Sequence, residues 1–137
     1  MNDFSRTVDI LSRTMDASSL RYQVTAHNLA NAETPGFKRT DVNFESQLKK
    51  AFESEKEAKE RARLVTSDPR HVHNDTYIDY RTVLPRRVTD YISTVQASGS
   101  NVNPEVEAMN VLKTGMRYQL LAMLEGFQFS QMKVILK

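Results

Sequence analysis

The stretch Ala26-His27-Asn28-Leu29-Ala30-Asn31-Ala32-Glu33-Thr34-Pro35-Gly36-Phe37-Lys38-Arg39 decides how the rest of the chain is read. Everything before it has helical spacing. Thr34 precedes a proline, which disfavours the α region for Thr34. Pro35 fixes φ at about −65° and Gly36 is free to take a positive φ, together the requirement of a type II turn. A helix that reaches this point should therefore stop near Asn31 or Ala32. Asn28 and Asn31, one turn apart, can bond backbone groups of the departing chain, and Phe37 can fold back onto the apolar side of the helix. Such a turn is by itself an ordinary helix stop, so function has to be sought on either side of it.

Upstream, the spacing predicts a helix from about Asp3 to Asn31. Phe4, Val8, Leu11, Met15, Ser18, Tyr22, Thr25 and Leu29 recur at steps of four and three, the seam of a heptad pattern in which two members are small hydroxyl residues. Ile10, Leu20 and Val24 lie off that seam, a second apolar strip that a helix with one partner does not need. Asp9 with Arg13, and Arg13 with Asp16, support the wet side by a few tenths of a kcal/mol each and carry no chemistry.

At the other end, Asn103-Pro104-Glu105 opens a second long helix. Asparagine suits the N-cap and proline the first helical position, while Glu105 and Glu107 favour the positive end of the helix dipole. No proline intervenes as far as Leu136, so the expected helix has about 33 residues and extends roughly 50 Å, too long for a compact domain of this size. Val106, Met109, Lys113, Met116, Leu120, Met123, Phe127, Ser130 and Val134 step by three and four. Leu112, Leu121, Leu124, Phe129, Met132 and Ile135 spread apolar surface well beyond that line, so the helix must be covered from more than one side. Gly115 and Gly126 each cost about 1 kcal/mol in a helix relative to alanine, which suggests places of close helix contact.

The middle is more polar. Val42, Phe44, Leu48, Ala51 and Phe52 give the segment from Asp41 to about Val65 an apolar start, and Glu53 to Arg63 is nearly all charge, with i, i+4 pairs such as Glu55–Lys59 and Glu57–Arg61. An outward-facing helix is expected there. Thr66-Ser67-Asp68-Pro69 is a turn signal. From Tyr77 to Gln96, β-formers are interrupted by Pro85, predicting short strands or extended pieces, and Ala97-Ser98-Gly99-Ser100-Asn101 is a flexible connection.

Composition narrows the function classes. Among 137 residues, 39% are hydrophobic and 26% charged, enough for a modest core, and the absence of cysteine removes disulfides, thiolate nucleophiles and sulfur-ligated metals together. The longest uncharged apolar run, Leu120 to Leu124, is far short of the roughly 20 residues that span a bilayer, and Asp3, Arg6, Asp9, Arg13 and Asp16 leave no room for a signal-peptide core. A net charge of +2 with interleaved signs gives no strong field for nucleic acid or anionic lipid; Arg81, Arg86 and Arg87 are a solvated face. His71, His73 and Asp75 lack a third well-spaced metal ligand, there is no phosphate loop, and the hydroxyls and histidines show no nucleophile–base spacing. The expectation is a protein without enzymatic activity, metal, cofactor or small-molecule substrate.

The expected architecture is mainly α: long terminal helices pairing as a coiled-coil-like hairpin, divided as an N-terminal assembly helix (1–34), a polar middle with a further helix and short β segments (35–102), and a C-terminal assembly helix (103–137). Two amphipathic ends with too much apolar surface for each other fit a subunit completed by its neighbours. Met109, Met116, Met123 and Met132 tolerate inexact surroundings, as a helix facing several unlike neighbours requires; filling a two-helix core is the plainer reading of the same residues. Candidate assembly residues are Val8, Leu11, Met15, Tyr22 and Leu29 on the first helix, and Val106, Met109, Met116, Leu120, Met123, Phe127 and Val134 on the last.

The segment from His27 to Arg39, with Asn28, Leu29, Ala30, Asn31, Thr34, Pro35, Gly36 and Phe37 as its core, resembles the N-terminal signature of bacterial flagellar rod and hook proteins. Gly99 to Met109, with Arg117-Tyr118-Gln119, is similar to the C-terminal helix of the same family. His27 stands where the family often has asparagine, and Asn103-Pro104 replaces its usual acidic and apolar pair. Within the family the chain is most similar to a short proximal rod member, because Thr34-Pro35-Gly36-Phe37 runs on directly where a sibling of similar length carries a glycine-rich insertion, and the longer members have far larger middle domains. The resemblance implies a structural subunit of the flagellar basal body that joins the inner-membrane (MS) ring to the distal rod and transmits torque. It further implies export by the flagellar type III apparatus without a cleaved signal, a place in the periplasmic part of the rod, and partners that include itself, other rod proteins, the MS ring and the rod-base protein. A coiled-coil adaptor or export chaperone outside the flagellum is the alternative.

Overall fold

The computed structural model describes residues 3–60, 77–93 and 97–135. Its order is α1 (Asp3–Ala30), β1 (Thr40–Asn43), α2 (Glu45–Glu60), a 3-10 turn (Tyr80–Thr82), β2 (Arg86–Thr89) and α3 (Pro104–Ile135). Two compact units result: Met1–Val42 with Arg87–Lys137, and Asn43–Arg86.

In the first unit α1 and α3 run antiparallel. Phe4 meets Phe129 edge-on with ring centroids 5.9 Å apart, and at the other end Asn28 Nδ2 lies 3.3 Å from Glu107 Oε2. α1 ends where Thr34-Pro35 requires it to. Gly36 has φ 71°, and Phe37 N–H donates to Thr34 C=O at 3.2 Å, which is the expected type II turn. Phe37 does fold back, its ring 5.5 Å from that of His27. α3 starts with the expected cap: Asn103 Oδ1 accepts from Glu105 N–H at 3.0 Å and Val106 N–H at 3.3 Å.

β1 and β2 form a two-stranded sheet that returns the chain to the helix pair. Thr40 and Thr89 pair across it through their hydroxyls at 3.1 Å, and Asp90 N–H donates to Arg39 C=O at 2.9 Å, an antiparallel register. The free edge of β1 is closed by side chains of α1. Asn28 Nδ2 donates to Thr40 C=O at 2.7 Å, its Oδ1 accepts from Thr40 N–H at 3.1 Å, and Arg21 Nη2 donates to Val42 C=O at 3.1 Å. One asparagine thus does the work of a neighbouring strand, satisfying backbone groups that would otherwise template aggregation. Of the strip off the stepped line of α1, Val24 is buried while Ile10 and Leu20 are half-buried.

The second unit is small. Phe44 and Ala51 are fully buried, Phe52 packs at 5.9 Å on the ring of Tyr80, and Ser54 Oγ accepts from Ile78 N–H at 3.1 Å. Asp79 Oδ1 caps the 3-10 turn by accepting from Arg81 N–H at 2.9 Å. The far part of α2 is the expected solvated stretch, with Lys59 Nζ 2.8 Å from Glu55 Oε1 and looser pairs Lys49–Glu53 and Lys56–Glu60 at 3.7 Å. Arg61, the Thr66–Pro69 turn, His71, His73, Asp75 and residues 94–96 lie outside the described residues.

Candidate functional site

The stepped residues expected along the two helices occupy different environments. On α1, Val8, Leu11, Met15 and Leu29 are half-buried on its flank and Tyr22 is largely exposed. What α1 buries fully is Ala17, Ser18, Val24, Thr25 and Asn28. Of the stepped line, therefore, only the two hydroxyl residues lie at its centre. Ser18 and Thr25 can do so because their hydroxyls turn back to Thr14 and Arg21 carbonyls at 2.8 Å.

On α3 the division is sharper. Val106, Met109, Met116, Leu120, Met123, Phe127 and Val134 are 50–77% exposed, whereas the buried positions are Glu107 and Thr114. At 3.6 residues per turn, Met109, Met116, Met123, Phe127 and Val134 lie about 180° around the helix from Glu107 and Thr114. Leu112, Leu124 and Phe129 add to the exposed apolar surface. A polar stripe of Asn110, Lys113, Arg117, Gln128 and Gln131 lies to one flank, and the side toward α1 mixes Glu107 and Thr114 with the half-buried Val111 and Leu121.

Gly115 and Gly126 are corrected by the geometry. A Cβ built at either meets nothing within 4 Å, so neither is a point of close contact within the chain.

A polar clasp holds the turn-bearing end of the pair. Glu107, 1% exposed, receives Arg39 Nε at 2.8 Å on Oε1 and Asn28 Nδ2 at 3.3 Å on Oε2, with Asn110 Nδ2 at 3.5 Å. Burial alone would pull the Arg39 guanidinium down, but the hydrogen bond and charge of Glu107, helped by Asp41 at 3.3 Å, outweigh it and hold Arg39 above its ordinary value. Asn101 Oδ1 accepts from Arg39 N–H, while Asn101 Nδ2 donates to Asp90 C=O at 2.8 Å. The Pro-Gly turn is pinned against the approach to α3. Gly36 N–H donates to Ser98 C=O at 3.1 Å, Lys38 Nζ to Gly99 C=O at 3.1 Å, and buried Ser100 Oγ to Ala32 C=O at 3.3 Å.

The motif residues divide accordingly. Asn28 is the buried hub. Leu29 and Asn31 are half-buried, and Asn31 Nδ2 bonds its own helix at His27 C=O, 2.8 Å away, instead of the departing chain. Ala30, Thr34, Pro35 and Gly36 are exposed and act through backbone shape; Phe37 is half-buried against His27. Sequence reasoning assigned Glu107 to the helix dipole and left Arg39 and Asn101 without a role. The signal for Glu107 was its register: Glu107, Val111, Thr114, Tyr118 and Leu121 also step by four and three.

The cleft between α1 and the sheet has a volume of 460 Å³ and is lined by Gln23, Val24, His27, Thr40, Arg87 and Thr89. Among the described residues no three His, Cys, Asp or Glu are placed to hold a metal, and no helix is long and apolar enough to cross a membrane. What the arrangement offers is a fixed pair of helices with a long, greasy outer surface.

Comparison with known proteins points the same way. A family model described as flagella basal body rod protein matches residues 8–38. Over its whole length the chain is 37% identical to the flagellar basal body rod protein FlgB of Borreliella burgdorferi, the match covering 100% of both. It is 32% identical to FlgB of Borrelia hermsii, again over 100% of both. FlgB of Bacillus subtilis is 26% identical, with 99% of this chain and 97% of that one covered.

Proposed function

Since the chain belongs to the FlgB family of flagellar basal body rod proteins, we propose that it builds the proximal rod by offering the outer face of α3 to neighbouring subunits. It is a structural subunit of the rod, as its relatives are named. The observation that carries the proposal is the 50–77% exposure of seven large apolar side chains on one helix. Fully burying one such side chain is worth about 1.5–3 kcal/mol, so covering what seven leave exposed gains on the order of 5–10 kcal/mol, ample to drive association.

In this reading segments 1–34 and 103–137 carry assembly, and the half-buried Val8, Leu11, Met15 and Leu29 with the exposed Tyr22 on α1 take a second neighbour. Neighbours are further copies of the chain and other rod proteins, with the MS ring and the rod-base protein at the inner-membrane end. Delivery is through the flagellar type III export apparatus, and the working place is the periplasmic part of the rod. Torque passes from the ring to the distal rod because interlocked helices spread load over many packed side chains. A coiled-coil adaptor or export chaperone has no observation in its favour. Basal bodies purified from cells expressing Met116→Asp or Leu120→Asp test the proposal: loss of the protein from the rod is expected, and normal rods with normal swimming would overturn it.

A further inference from the structure

The helix pair poses a problem that hydrophobicity does not solve. α3 carries apolar side chains on two sides, Met109, Met116, Met123 and Phe127 on one and Val111, Leu121 and Phe129 on the other, so burial alone does not choose which side meets α1. By area, the side of Met109, Met116 and Leu120 would serve as well as the side that holds Glu107 and Thr114 beside Val111 and Leu121. Yet the observed pair hides a carboxylate and a threonine and leaves the methionines outside.

We propose that Glu107, held by Arg39 and Asn28, is the positioning residue that sets the rotation of α3 about its own axis, so that its apolar face is kept for assembly. The bonds that do this are specific in direction. Arg39 Nε reaches Glu107 Oε1 at 2.8 Å, and Asn28 Nδ2 reaches Oε2 at 3.3 Å. Asn28 also holds both backbone groups of Thr40, at 2.7 and 3.1 Å, which places Arg39 beside the start of α3. The path therefore runs from the Pro-Gly turn, through β1, to one carboxylate on the opposite helix. A rotation of α3 by about half a turn would carry that carboxylate out of reach, leaving Arg39 with Asp41 and Asn28 with Thr40 alone. A buried, directional polar group fixing the register of otherwise interchangeable apolar helices is an established physical device.

The chain has no cysteine, so introduced thiols report without background. The orientation is read by disulfide formation in the full-length protein, in purified form and in basal bodies. Ser18→Cys is paired with Thr114→Cys on the buried line or with Met116→Cys on the outer face. In the otherwise unaltered chain only the first pair should close. Replacing the ion pair with apolar side chains, Arg39→Leu with Glu107→Leu, should lower the Ser18/Thr114 yield about tenfold and raise that of Ser18/Met116. Glu107→Gln, whose amide oxygen still accepts from Arg39 although its NH2 then faces the Asn28 Nδ2 donor, should keep Ser18/Thr114 as the favoured pair at a reduced yield. The proposal is overturned if the double leucine chain keeps the native pattern, if it closes neither pair, which would make the network a general stabiliser, or if Glu107→Gln behaves like the double leucine chain. The cross-links do not depend on which neighbours cover α3. Should Met116→Asp assemble normally while the cross-links shift as expected, the assembly reading falls and the positioning role stands.

Discussion

The two sides of α3 are built from opposite materials. Toward α1 it buries Glu107, which meets Asn28, and Thr114; toward solvent it presents Met109, Met116, Leu120, Met123 and Phe127. A self-sufficient helix pair would have these exchanged. Charge-assisted bonds define the geometry at one end of the pair and the Phe4–Phe129 contact marks the other, while the Met109, Met116 and Met123 side stays outside it. The lesson is that internal order and association draw on different faces of one helix, so substitutions can damage one and leave the other intact.

The largest effect should come from the outer face. Met116→Asp or Leu120→Asp is expected to abolish swimming in soft agar and remove the protein from basal bodies while secretion continues. The same variants should unfold in urea within about 0.5 kcal/mol of the parent, because the altered side chains touch solvent. A large loss of stability would break the contrast between the faces.

Glu107→Ala should act from the inner side, costing about 2–4 kcal/mol in urea unfolding by removing the buried carboxylate from Arg39 and Asn28, which keep only Asp41 and Thr40. Asn28→Ala should follow at about 1–3 kcal/mol, since it orphans the Thr40 backbone groups. An unchanged midpoint in both would mean that the clasp merely decorates the pair. Gly36→Ala should cost about 1 kcal/mol, because Gly36 sits at φ 71° with room for a methyl group, so that the conformation alone is penalised.

The smallest effect is a titration. Asp90 is held below the ordinary aspartate range by hydrogen bonds from the Ser93 hydroxyl, from Ser93 N–H and from Ile92 N–H at 3.1 and 3.0 Å. A depressed carboxyl pKa contributes stability that is fully present above the unfolded value of about 3.9 and is lost as pH falls through the folded one. The amide signals of Ile92 and Ser93 should therefore shift with a midpoint below that of a free aspartate. A midpoint at the ordinary value would remove the turn from the anchored part of the molecule.

Much of this was legible in advance for a local reason. Helix ends and turns are written in neighbouring residues: Thr34-Pro35-Gly36 stops α1, and Asn103-Pro104 caps α3 where predicted. The outer apolar line of α3 was also visible as spacing. Nothing local, however, distinguishes that line from the one through Glu107, Val111 and Thr114, which has the same period. Gly115 and Gly126 are a related case: a glycine in a helix marks room without saying which partner uses it, and nothing among the described residues does.

By itself the sequence determined that two long helices flank a polar middle, that the first ends in a type II turn, that the last carries more apolar surface than one partner can cover, and which family the motifs resemble. Only the tertiary structure decided which side of α3 faces inward. That choice rests on contacts between residues 68 and 79 positions apart, Arg39 and Asn28 with Glu107, and such pairings leave no trace in the periodicity of either helix. Periodicity measures how much grease each face carries, whereas the fold was settled by where one carboxylate could find its donors.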